Sequence, residues 1–108
     1  MCEICQYLDL VETDECQINY CKACKTFSVV YRSCCASFTP SELEQFHVVL
    51  STLRETDFHY NFCGEHMAII KNPVACVGFC LSKKDASELA DSVAESLTLF
   101  DAYHVIYK

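Results

Sequence analysis

A chain of 108 residues has room for one domain and one core, and its 52% apolar content with only two glycines and two prolines excludes a disordered or loop-dominated scaffold. A net charge of −7 excludes a general nucleic-acid platform, which needs a basic footprint against phosphates, and also an electrostatic membrane anchor. The longest apolar run, Val74 to Leu81, is too short to span a bilayer.

Residues 1–17 read as an acidic, irregular lead-in. They carry neither the basic start nor the apolar stretch of a signal peptide, so the expected location is cytoplasmic. In a reducing compartment the ten cysteines read as metal ligands, reactive thiols or small core residues, not as a disulfide framework. Thr26 to Tyr31 and Cys34 to Phe38 are rich in β-branched and aromatic residues and predict a hairpin turning at Arg32-Ser33. Thr39-Pro40-Ser41-Glu42 is a capping box with proline at the first helical position. Leu43, Phe46, Val49, Leu50 and Leu53 then recur at helical spacing.

Residues 54–65 read as a connection between halves. Met67 to Ile70 and Val74 to Leu81 predict a second strand pair, separated by the turn signal Lys71-Asn72-Pro73. Ser82-Lys83-Lys84-Asp85 caps a second helix. Its apolar face is Ala86, Leu89, Ala90, Val93, Ala94, Leu97 and Phe100, and Asp85, Glu88 and Asp91 outline its solvated side. Tyr103 to Tyr107 predicts a final strand. The expected fold is therefore α+β: a single domain over residues 1–108, with an antiparallel sheet carrying two helices on one face. Its internal order is a strand-strand-helix pseudo-repeat.

The strongest chemical signal is Cys2-x2-Cys5 followed, after fifteen intervening residues, by Cys21-x2-Cys24. Each pair lets two thiolates converge on one ion from a tight turn, and two such turns supply the four soft ligands that tetrahedral zinc favours. The predicted site is a structural Zn2+ on Cys2, Cys5, Cys21 and Cys24, pinning the lead-in to the first hairpin. The position after the second cysteine of a zinc knuckle is usually glycine, because the backbone there is left-handed; here Gln6 and Lys25 stand in it. Cys16 is an alternative to either terminal ligand, and Cys63-x2-His66 an alternative partner for Cys21 and Cys24. The competing reading is a set of unmetallated thiols. Cys34 and Cys35 point to opposite strand faces, so one is expected to pack inward, and Cys76 and Cys80 read as core. His47, His59 and His104 have no evident partner.

A thioredoxin-like motif needs its Cys-x-x-Cys at the start of a helix. Cys21-Lys22-Ala23-Cys24 runs into a strand instead. No phosphate loop, dinucleotide fingerprint or glycine-rich oxyanion turn occurs, which points away from an enzyme. The function this implies is a zinc-stabilised module that binds a protein partner or another copy of itself, with no nucleic acid and no membrane. Tyr31, Tyr60, Phe62 and Tyr107 are candidates for its open face. The alternative is a thiol-based redox or metal-handling protein using Cys21 and Cys24.

The stretch Cys21-Lys22-Ala23-Cys24, the strand around Val29-Val30-Tyr31, and Thr39-Pro40-Ser41-Glu42-Leu43-Glu44-Gln45-Phe46 resemble an uncharacterised family of small Bacteroidota proteins. The segment from Leu81 to Leu97 is similar to that family's second helix. The resemblance covers about the last four-fifths of the chain and leaves out Cys2 and Cys5. It implies a bacterial cytosolic protein with no assigned activity.

Overall fold

The computed structural model describes residues 7–62, 64–71 and 78–106. Seven strands and two helices follow in order: β1 (Tyr7–Glu12), β2 (Cys16–Cys21), β3 (Thr26–Tyr31), β4 (Cys34–Phe38), α1 (Pro40–Ser51), β5 (Tyr60–Phe62), β6 (Glu65–Lys71), β7 (Gly78–Ser82) and α2 (Lys83–Ile106). The fold is α+β, but the strands make two antiparallel sheets where one was expected. One has the order β1-β2-β3-β4, the other β5-β6-β7. The predicted units β3-β4-α1 and β6-β7-α2 are present, and β1, β2 and β5 are added ahead of them.

Pairing explains the additions. The lead-in was expected to be irregular, yet Tyr7 to Glu12 forms β1 by laddering against β2, with a bulge between Asp9 and Val11. β5 and a 3-10 turn at Glu55–Asp57 occupy the expected connection. The expected final strand is corrected in the opposite sense. With no glycine or proline after Phe100, α2 runs on through Ile106, and Tyr107 lies outside the described residues. The turn at Asn72-Pro73 and the start of the Val74 strand also lie outside them.

Alternation decides which sheet face is covered. Ile18, Tyr20, Phe27, Val29 and Tyr31 point one way and are buried, whereas Gln17 and Ser28 point the other way and stay at least partly exposed. Both helices pack on the apolar face. α1 buries Leu43, Phe46 and Leu50, while Val49, placed on that stripe by spacing, is 43% exposed. α2 buries Ala86, Leu89, Val93, Ser96 and Phe100. The Phe100 ring sits 4.6 Å from Tyr20 and 4.8 Å from Phe27. Phe46 of α1 lies between the sheets, 4.9 Å from Phe38 and 5.4 Å from Phe79. Core residues of both sheets and both helices join in one cluster.

Both predicted caps form. The Glu42 N–H donates to Thr39 Oγ1 (3.2 Å), and the Thr39 N–H donates to the Glu42 carboxylate (2.8 Å). At α2 the Asp85 N–H donates to Ser82 Oγ (3.2 Å), and the Ser82 N–H donates to Asp85 Oδ2 (3.4 Å). Asp85 is nevertheless buried, not solvated, because Tyr31 and Arg32 close over it.

Candidate metal centre

The β2–β3 hairpin turns through Lys22 to Lys25 and carries one of the two cysteine pairs. Cys21 closes β2 and is buried; Cys24 sits in the turn and is exposed. The Cys24 N–H points at Cys21 Sγ (3.3 Å), and the Lys25 N–H donates to the Cys21 carbonyl (2.8 Å). Lys25 has φ 57°, so it takes the left-handed conformation that a zinc knuckle usually gives to glycine. A donor aimed at sulfur stabilises negative charge there, and the turn presents both thiols from one short loop. The loop is anchored from below. The Lys22 ammonium stands 4.9 Å over the Tyr103 ring of α2, and the strands that lead into and out of the loop meet through the tilted Tyr20 and Phe27 rings at 4.9 Å.

Tyr7 pairs with Cys21, so the chain enters the sheet at the end where this hairpin turns. Cys2 and Cys5, the other two expected ligands, lie outside the described residues, as do Cys63 and Cys76. Among the described residues no three Cys, His, Asp or Glu side chains gather as a metal-holding group. His66, exposed on β6, therefore does not join Cys21 and Cys24. Nor does Cys16 replace a ligand. It starts the strand that Cys21 ends, five residues and roughly 16 Å away at about 3.3 Å per residue. Cys16 is buried, and burial pushes its thiol up from the ordinary 9.0 against a hydrogen bond from Ser92.

Three further expectations are corrected. Cys34 and Cys35 are both exposed, because β4 is the outer strand of its sheet. Cys80 is exposed on β7 although it read as core. Tyr31, a candidate for the open face, is buried, with its hydroxyl donating to Asp85 Oδ1 (3.0 Å). Of the other candidates, Tyr60 is exposed. His59 lies in the turn before β5, with Nδ1 3.2 Å from the Thr56 carbonyl, and His47 Nε2 is 3.4 Å from Ser51 Oγ.

The Asp85 cluster was not foreseen from the sequence. Asp85 accepts from Tyr31, from Arg32 Nη2 (2.9 Å) and from the Ser82 N–H, and Arg32 also reaches Glu15 (3.5 Å). Its only local signal was the capping box that placed Asp85 three residues after Ser82. Among the described residues no helix is long and apolar enough to cross a membrane.

The fold and this hairpin define a cysteine-rich α+β domain built from two antiparallel meanders, each closed by a capped helix. A family of unknown function (DUF6686) matches residues 1–94, and the chain belongs to it. That match takes in both Cys-x2-Cys pairs and stops within α2. No curated protein and no solved structure matches the chain.

Proposed function

We propose that the chain is a small interaction domain whose N-terminal segment is held to the β2–β3 hairpin by a structural zinc on Cys2, Cys5, Cys21 and Cys24. The single observation that carries this proposal is the pairing of Tyr7 with Cys21. Cys5 precedes Tyr7 by two residues, and two residues of chain span at most about 7 Å. The knuckle-like turn, with its N–H aimed at Cys21 Sγ and its left-handed Lys25, adds geometric support. Four thiolates would close the coordination shell and leave no open position for catalysis, which suits a structural role. The setting proposed with it is a reducing bacterial cytoplasm, where such thiols persist without forming disulfides.

The interaction role is supported by an exposed apolar group. Val49, Tyr60 and Ile69 border one groove of about 420 Å3 between α1 and the β5–β6 pair. A redox role is less well supported, because Cys21 and Cys24 sit in a hairpin and not at a helix N-terminus.

Thiol labelling tests the zinc. Cys2, Cys5, Cys21 and Cys24 should resist an alkylating reagent until a strong chelator is added, and then react together. Immediate modification of Cys24 in untreated protein, with no change on chelation, would overturn the proposal.

A further inference from the structure

The exposed thiols of Cys34 and Cys80 come from different sheets, one opening β4 and the other within β7, yet both line a single cavity of about 190 Å3. Met67 of β6 lines the same cavity, so three sulfur-bearing residues border it. Asp85 supplies the one carboxylate there. Its Oδ1 is engaged by Tyr31 and Arg32, and its Oδ2 by the Ser82 N–H. Hard cations such as Mg2+ and Ca2+ need several oxygen ligands, which this cavity does not offer. Zinc needs a fuller set as well, and the one further Cys, His, Asp or Glu in this lining, Asp85, is already engaged by Tyr31, Arg32 and the Ser82 N–H.

We propose that Cys34, Cys80 and Met67 form a second, sulfur-only site for a thiophilic monovalent cation of the Cu(I) type. Thiolate and thioether ligands select that ion, and it accepts a low coordination number. Binding deprotonates both thiols and releases two protons to solvent. Two thiolates around one monovalent ion leave a net charge of −1 beside the Arg32 guanidinium, which is itself paired with Asp85 and Glu15. The bound ion bridges β4 and β7, outer strands that belong to separate sheets.

The test is an anaerobic titration of the untagged full chain with Cu(I) against a chromogenic Cu(I) chelator, with zinc measured in each sample. Cys34→Ser and Cys80→Ser should each lose one tightly bound Cu(I) per chain with zinc content unchanged. Met67→Leu should keep the stoichiometry and bind more weakly. Cys35→Ser, an exposed neighbour whose side chain is on the opposite face of β4, should bind as the unmodified chain does. Unchanged Cu(I) binding in Cys34→Ser and Cys80→Ser would overturn the proposal, and so would an equal loss in Cys35→Ser, which is the mark of indiscriminate surface thiols.

Discussion

Asp85 is a buried carboxylate held by three donors, and each donor comes from a different kind of structure: the Ser82 cap, the Tyr31 strand end and the Arg32 turn. Removing it leaves the buried Tyr31 hydroxyl without its acceptor and α2 without half of its cap. Asp85→Ala should therefore cost about 2–3 kcal/mol in denaturant unfolding. Tyr31 makes the same cluster sensitive to alkali. Burial first, and then the hydrogen bond to Asp85, raise its phenol well above the ordinary 10.0; burial likewise raises Tyr20 and the Cys16 thiol. A group whose folded form holds its proton more tightly stabilises the fold below its unfolded pKa, and that stability is lost as pH rises beyond it. Unfolding free energy should thus be flat near pH 8 and fall above about pH 9–10, with a shallower fall in Tyr31→Phe. None of this was legible from Asp85 itself. In sequence it sits beside Glu88 and Asp91 on a polar helix side, and the arginine that reaches it is 53 positions away.

At the scale of elements, the two turns of the first sheet that hold non-glycine residues at positive φ are the most informative. Lys25 (φ 57°) shapes the Cys21–Cys24 loop, and Arg32 (φ 54°) aims its side chain at Asp85. A β-branched residue is far less tolerant of this conformation than lysine. Lys25→Val should therefore destabilise the hairpin by about 1–2 kcal/mol, while Lys25→Gly should be neutral or slightly stabilising; thermal melts of the two variants check this. The helix starts were legible because a cap is a local pattern, read within four residues at Thr39 and Ser82. β1 was not legible. Tyr7 to Glu12 carries acidic residues, and it is a strand only because β2 lies alongside to pair with it. The end of α2 was misread because Tyr103 to Tyr107 has β-favouring residues, yet nothing in it breaks a helix already packed through Phe100.

For the whole molecule, α1 is the link between sheets. Phe46 touches Phe38 of one and Phe79 of the other, and the buried cluster runs through both. Phe46→Ala should cost about 3–5 kcal/mol, the range for deleting a buried aromatic. The two sheets should also unfold together, with tyrosine fluorescence and far-UV circular dichroism reporting one coincident transition. The α+β class and the two helices followed from periodicity. The division into two sheets did not, because every pairing joins consecutive strands, and whether the outer strands of two such meanders also pair with each other leaves no trace in their residues.

Zinc content is the measurement that bears most directly on the central claim. In untagged protein purified under reducing conditions, elemental analysis should give close to one zinc per chain, and Cys21→Ser should abolish it together with a drop in melting temperature. A metal-free preparation that stays folded, and whose melting temperature a strong chelator does not change, would contradict the zinc-pinned hairpin.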